Sequence, residues 1–278
     1  MLKVALTHDV DRVKKSYQYI SYLLKAIKGR DINMIKYHIS SYFLAKDPYW
    51  NFDRIMEIEK MHDVKSTFFF LDESIKFKPF EISNWQLSLG RYRMLENDVT
   101  NVIKYLDKNG WEIGLHGSYN SYKDIELLKK EKETLENILG KKIQGIRQHY
   151  LNLDENTWSL QKTLGFKYDS SFGYTDRIGF KDKEYHSLRP FDDYFVVFPL
   201  IVMDSSFMQL SESITWSQFM RVCDEAELKG ATLVINWHQR VFNEKEFPGY
   251  SKFYERMIKE FLKRKSQIDT LGNYYSLL

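Results

Sequence analysis

Short apolar runs rich in β-branched and aromatic residues recur at residues 3–7, 65–71, 112–116, 143–147, 166–170, 194–200 and 232–237. Runs of that length, bounded by polar residues, read as strands buried on both faces. Between them, residues 97–108, 125–139, 155–164 and 216–229 repeat their apolar positions at helical spacing, and Gly110, Gly140, Gly165 and Gly230 stand where such helices stop. This alternation predicts parallel β/α units. It suits an α/β fold, a distorted (β/α) barrel of about seven parallel strands, closed or incomplete, better than an open sheet. No repeat or low-complexity stretch marks a linker, so one domain is expected over residues 1–278.

The rhythm breaks once. More than fifty residues separate the first two runs, far beyond the need of one crossover helix, so residues 12–62 are expected to form an insertion or lid. Its first part mixes Tyr19, Ile20, Leu23, Leu24 and Ile27 with Lys14, Lys15, Lys25, Lys28, Arg30 and Lys36. The ordinary reading is an amphipathic helix packed on the barrel with its basic side in water. The sharper reading is a surface that docks an anionic membrane or a lipid-linked substrate. Its aromatic residues would equally serve a dimer contact.

Polar residues cluster where the predicted strands end. In Thr7-His8-Asp9-Val10-Asp11 an extended chain would aim both carboxylates at one point, where repulsion and desolvation disfavour two bare anions and a cation relieves the conflict. Asp11 taken alone would serve as a helix N-cap. His116, His149 and His238 also fall at carboxyl ends of predicted strands, the rim where β/α barrels build their sites. Arg147 is placed to pair with a base carboxylate, and Asp169 either caps a turn or accepts the second N–H of an imidazole.

Composition narrows the chemistry. Cys223 is the only cysteine, which excludes an internal disulfide and a thiolate zinc site and leaves His, carboxylate or amide ligands for any metal. Forty-one basic against 38 acidic side chains leave a net charge of +3, so nothing calls for nucleic acid, while a weakly basic surface suits an anionic substrate. A start without a signal-peptide pattern and the lack of any apolar run near the ~20 residues of a membrane span predict no transmembrane segment and a cytoplasmic location. Oligomeric state leaves no mark in the sequence.

The order of these motifs resembles the polysaccharide deacetylase family, the NodB-homology domain. Thr7-His8-Asp9-Val10-Asp11 is similar to its acidic first motif, and residues 64–70 to the Ala-Thr-Phe-Phe strand that follows. Glu112-Ile113-Gly114-Leu115-His116 matches the second motif, and Gly145-Ile146-Arg147-Gln148-His149-Tyr150 sits where Arg-x-Pro-Tyr is expected. Tyr168-Asp169-Ser170 and Asn236-Trp237-His238 resemble the last two. The resemblance implies metal-dependent amide or ester hydrolysis, usually removal of N-acetyl from an amino sugar. It implies Asp9 as general base, Asp11 and His116 as metal ligands, Arg147 holding Asp9, His238 as general acid, and Asp169 orienting it. A backbone N–H near Tyr150 would stabilise the oxyanion. The implied cofactor is a divalent metal, with zinc best suited to these donors.

One departure bears on the metal. The family's second histidine lies four residues after the first, and here that position is Asn120, a neutral and hard donor. His149, absent from the common motif, is the preferred third ligand. His8 ranks below it, because strand alternation turns His8 away from Asp9. Residues 173–180 and 186–191 resemble a loop of a family branch tied to surface-polysaccharide gene clusters; Arg177, Lys181, Tyr185 and Arg189 would contact an anionic sugar or a diphosphate there, unless they are plain surface charges. Trp237 is the candidate sugar-stacking residue. The expectation is a deacetylase-like hydrolase acting on a small N-acylated sugar or sugar nucleotide. The alternatives are an amide hydrolase on a non-sugar substrate and a catalytically silent sugar-binding or scaffold barrel.

Overall fold

The computed structural model describes residues 1–44 and 46–278. Its strands are β1 (Lys3–Val10), β2 (Thr67–Leu71), β3 (Glu112–Gly117), β4 (Gly145–Gln148), β5 (Tyr168–Asp169), β6 (Val196–Val197), β7 (Leu200–Met203), β8 (Thr232–Asn236) and β9 (Gln267–Asp269). Its helices are α1 (Gln18–Lys28), α2 (Ile32–Ser41), α3 (Phe52–Met61), α4 (Ile82–Ser88), α5 (Asn97–Lys108), α6 (Ile125–Leu139), α7 (Thr157–Thr163), α8 (Asp204–Phe207), α9 (Glu212–Lys229), α10 (Tyr250–Lys263) and α11 (Leu271–Ser276).

The strands form one sheet in the order β6-β5-β4-β3-β2-β1-β8-β7, with every ladder parallel. The two ends of that order are consecutive in the chain, and a bridge between Gly173, just past β5, and Leu200 of β7 draws them together. The result is a distorted (β/α) barrel whose seam is a single bridge rather than a ladder. The strand count differs from the expected seven for two reasons. The run at 194–200 is interrupted at Phe198-Pro199 and yields β6 and β7, since proline has no N–H to give a ladder. β9 is a half-buried strand with one apolar residue, Ile268, and pairs only with residues 3–5 of β1.

Alternation along each strand sorts side chains into two layers. Leu6, His8 and Val10 of β1 face the helices, where they join Phe68, Phe70, Leu115, Ile146, Leu233 and Ile235. Ala5 faces inward with Phe69, Tyr168, Phe198, Leu200 and Val234, and α11 closes the amino-terminal end of the barrel with Leu271 and Tyr274. The backbone N–H groups of Leu271 and Gly272 reach Thr67 Oγ1 and Glu112 Oε2 at 3.1 and 2.8 Å and fasten that plug to β2 and β3. Gly145 is needed here: a Cβ on it would collide with the Tyr168 ring that fills the interior.

The long segment before β2 divides. α3 buries Phe52, Ile55, Ile58 and Glu59 against the sheet and acts as the crossover helix from β1 to β2. α1 and α2 pack on one another beside the barrel mouth. The ordinary reading of α1 holds only in part: Lys25 and Lys28 lie in water as expected, but Ile20, Leu24 and Ile27 are also 68%, 60% and 51% exposed, and the buried residues of the helix are Gln18 and Ala26. Among the described residues no helix is long and apolar enough to cross a membrane.

Candidate active site

Above its apolar plug the barrel interior turns polar in steps of two residues along β1. Thr7, Asp9 and Asp11 point inward one above another, about 7 Å per step. Arg147, from the centre of β4, lies fully buried over the Phe69 ring. Its Nη1 donates to Thr7 Oγ1 at 2.7 Å and to Asp9 Oδ1 at 2.9 Å, while Nε and Nη2 donate to the carbonyl and hydroxyl of Ser170, each at 2.9 Å. Asn236 at the end of β8 holds the other Asp9 oxygen, its Nδ2 donating to Oδ2 at 2.7 Å. Burial alone would raise the Asp9 carboxyl, but Arg147, His116 and His238 together hold it below the usual range. Asp9 is therefore an immobilised carboxylate.

No helix starts at Asp11; the next begins at Gln18, so capping does not account for it. Asp11 Oδ1 is buried without a hydrogen-bond partner and stands 3.3 Å from His116 Nε2 and 3.7 Å from His149 Nε2. One ligand atom from each of these three residues lies within 4.8 Å of the others, so the set could hold a metal ion. The imidazoles are prepared for it. His116 Nδ1 donates to the Arg147 carbonyl at 2.9 Å, which leaves Nε2 with a free lone pair. His149 Nδ1 faces Glu73 Oε2 at 3.6 Å, and burial pulls His149 down to about 4 against the opposing Glu73 and Asp11 charges, so its ring is neutral at physiological pH.

His238 is the contrasting group. Its Nδ1 lies 2.7 Å from Asp204 Oδ1 and its Nε2 faces Asp11 Oδ2 at 3.8 Å. Burial disfavours the imidazolium, but Asp204, with lesser help from Asp11 and Asp9, pushes His238 up to about 9. These groups open into a cavity of about 410 Å³ whose walls include Arg12, Arg91, Arg240, Tyr17, Tyr22 and Tyr150. Burial, then Arg91 and, more weakly, Arg240, depress Arg12 to about 10, so these guanidiniums sense one another.

Several expected residues stand elsewhere. Asp169 does not reach His238: its carboxylate accepts from the Ser171 N–H and hydroxyl at 2.7 and 2.6 Å and from Gln161 at 2.9 Å, and Asp204 takes the place assigned to it. Trp237 falls on the outer side of the strand register, fully buried and stacked on Phe253, and is no sugar platform. Asn120 is exposed and lies outside the cavity. His8 faces Glu59, 2.9 Å away, in the outer layer. Arg177 stacks on Tyr174, Arg189 binds the Asp193 carbonyl, Lys181 lies over Phe172 and Tyr185 binds Glu225; none lines the cavity. Tyr150 does line it, half exposed with φ of 60°.

Asp204, Glu73, Arg91, Arg12 and Arg240 escaped the sequence reading. Asp204 directly follows β7 and carried the signal that marked Asp9 and His116, an ionisable residue at a strand's carboxyl end. It stands four residues beyond the apolar run 194–200, past the strand end which that run predicts. Arg91 comes from a loop between α4 and α5 and carried no such signal.

A distorted parallel barrel with carboxylates and imidazoles on its carboxyl rim defines the class of protein. Residues 47–168 match the family model described as polysaccharide deacetylase. The match takes in His116, Arg147 and His149, while Asp9 and Asp11 precede it and Asp204 and His238 follow it. No curated protein matches the chain. Among solved structures it is similar to a Mycobacterium smegmatis protein assigned to the polysaccharide deacetylases, with a TM-score of 0.63 and 16% identity, covering 99% of this chain and 89% of that one. Puue allantoinase is similar at a TM-score of 0.60 and 15% identity, covering 99% of this chain and 89% of that one. A CE4 family pseudoenzyme from Bacillus anthracis is similar at 0.52 and 12% identity, covering 98% of this chain and 65% of that one. At these identities the likeness is one of fold.

Proposed function

We propose that the protein is a zinc-dependent hydrolase that removes an acyl group, acetyl in the simplest case, from the nitrogen of an amino sugar or sugar nucleotide used in cell-surface polysaccharide assembly. The observation that carries this reading is geometric: Asp9 is clamped by Arg147 and Asn236 while His238 is paired with Asp204, on either side of Asp11, His116 and His149, and these partners push the two groups' pKa values in opposite directions. Two titratable groups pushed apart in this way divide into base and acid at neutral pH. The family match supports the reaction class, and the resemblance of the 173–191 loop supports the polysaccharide context.

Asp11, His116 and His149 would hold the zinc, two imidazoles and a carboxylate being a donor set it favours. The bound cation would supply Lewis-acid polarisation of the acyl carbonyl and lower the pKa of the attacking water. Asp9, clamped by Arg147 and Asn236, accepts the proton of that water as its oxygen bonds to the carbonyl carbon. When the carbon–nitrogen bond breaks, His238 donates its Nε2 proton to the departing amine, and Asp204 stabilises the imidazolium until then. Tyr150, at the cavity wall, borders the space for the sugar ring.

The test is elemental analysis of protein purified without an affinity metal, coupled to acetate release from a panel of N-acetyl sugars. Near one zinc per chain with acetate release that Asp9→Asn abolishes is the expected result. No metal after zinc reconstitution would sink this reading in favour of a silent sugar-binding barrel. Metal with turnover only on non-sugar amides would instead make it an amidase.

A further inference from the structure

We infer that the cavity recognises a phosphoryl group on its ligand, gripped by Arg12, Arg91 and Arg240. All three line the cavity of about 410 Å³ that holds Asp11 and His238. Among the described residues, none of the three forms a salt bridge to a carboxylate. Arg12 is 3% exposed, and its guanidinium donates to the carbonyls of Gln86 and Leu89. Arg91 donates to the carbonyls of Gln86, Leu87 and Asp11 at 3.1, 3.0 and 3.1 Å. Arg240 Nε is buried without any partner. An arginine so enclosed is ordinarily paired with an acid. Three around one cavity repel each other, and the nearby carboxylate Asp11 offsets only part of that charge.

The charge count favours phosphate over carboxylate. Asp9 is matched by Arg147 and Asp204 by His238, which leaves Asp11 as the one carboxylate set against Arg12, Arg91 and Arg240. The two guanidinium charges left over exceed the single charge and two oxygens of a carboxylate. A phosphate ester brings about −1.5 to −2 and three acceptor oxygens, enough to engage several forks at once. Tyr17, Tyr22 and Tyr150 on the same walls add hydroxyl donors and aromatic faces. The same phosphoryl chemistry arises in a soluble sugar nucleotide and in a lipid-linked phosphosugar. α1 makes the second source worth an arm of its own, since it lends Tyr22 to the cavity and turns Ile20, Leu24 and Ile27 to solvent.

The inference depends on the hydrolase reading only where it names the ligand a substrate, and its test reads binding. Zinc-loaded protein would be titrated calorimetrically with N-acetylglucosamine, N-acetylglucosamine 1-phosphate and UDP-N-acetylglucosamine, and floated with neutral vesicles carrying a polyprenyl-phosphate-linked N-acetylglucosamine. The phosphorylated sugar should bind at least about tenfold tighter than the neutral one, with an advantage that shrinks as salt rises. Arg240→Gln should remove about tenfold of that affinity and leave the neutral sugar unchanged, and Arg240→Lys should restore part of it. Tighter binding of UDP-N-acetylglucosamine than of vesicles marks a soluble ligand, and the reverse marks a lipid-linked one. Equal affinity for phosphorylated and neutral sugar, or no binding of either, overturns the inference. A preference that survives in both Arg12→Gln and Arg240→Gln also overturns it, because the phosphate would then be held by the zinc. Phosphate-selective binding without acetate release leaves this inference standing and sinks the hydrolase, while acetate release without selectivity does the opposite.

Discussion

His238 Nδ1 sits 2.7 Å from one oxygen of Asp204, and the other oxygen accepts the backbone N–H of His238 at the same distance of 2.7 Å. One carboxylate thus fixes both the ring and the chain that carries it. The imidazole cannot swing away, and its Nε2 faces Asp11 across the cavity. Because Asp204 begins α8 directly after β7, the pair also ties together two neighbouring strands, β7 and β8, at the rim.

Activity should therefore persist well above neutrality and fall as pH rises through about 9, where His238 loses its proton. Asp204→Asn should draw this alkaline limb down toward the ordinary 6.5. At pH 8 the protonated fraction of His238 would drop from about 90% to a few per cent, and kcat by about tenfold or more. Stability follows the same sign: the folded pKa lies above the free value, so the pair stabilises fully below 6.5 and ceases to do so as pH passes about 9. A pH–rate profile unchanged in Asp204→Asn would defeat this assignment.

Metal content separates His149 from Asn120 as the third ligand. His116→Ala and His149→Ala should each lower bound zinc about tenfold or more, whereas Asn120→Ala should retain it, since Asn120 is exposed outside the cavity. His149 binds as the neutral ring, and with its value near 4 protonation competes little at physiological pH. Full zinc in His149→Ala would remove it from the ligand set.

The barrel and the polar rim were legible because both depend on short-range patterns. Apolar runs named the strands, and period-two alternation put Thr7, Asp9 and Asp11 on one face with His8 on the other. What stayed hidden depends on register between distant segments. Asp169 and Asp204 both follow apolar strands, and only the sheet order, with β7 rather than β5 beside β8, decides which one meets His238. Trp237 next to His238 looked like a sugar platform, yet adjacent residues of a strand face opposite layers. Arg91 reaches the site from a loop with no periodicity to read, and α1 exposes the apolar stripe that its sequence suggested it would bury.

Arg147 is a positioning residue whose replacement should be costly on two counts. Arg147→Lys cannot reproduce four donations fixed by a planar guanidinium, so Asp9 loses its clamp and kcat should fall about a hundredfold or more with little change in KM. Arg147→Ala leaves Asp9 buried beside no cation and should destabilise the fold by about 3–5 kcal/mol, read from urea unfolding. Equal kcat in Arg147→Lys and wild type would show that the base needs no such clamp.

The last prediction concerns a carboxylate behind the sheet. Glu59 of α3 is fully buried and accepts from Tyr254 at 2.7 Å, from Trp111 at 2.6 Å and from Ser66 at 3.0 Å, with His8 2.9 Å away. It joins the outer face of β1 to α10 and to the chain leading into β2 and β3, so it holds β1 in the position that aims Asp9 and Asp11 inward. Glu59→Ala strands four polar groups in the core and should cost about 3–5 kcal/mol, while Glu59→Gln keeps the shape and part of the bonding and should cost about 1–3 kcal/mol. His8→Ala should weaken the fold through the same cluster yet leave zinc stoichiometry unchanged, because its ring lies on the far side of β1 from His116. Urea unfolding and elemental analysis on the same preparations decide the matter: loss of zinc from a folded His8→Ala protein would return His8 to the ligand set and overturn the two-layer assignment of β1.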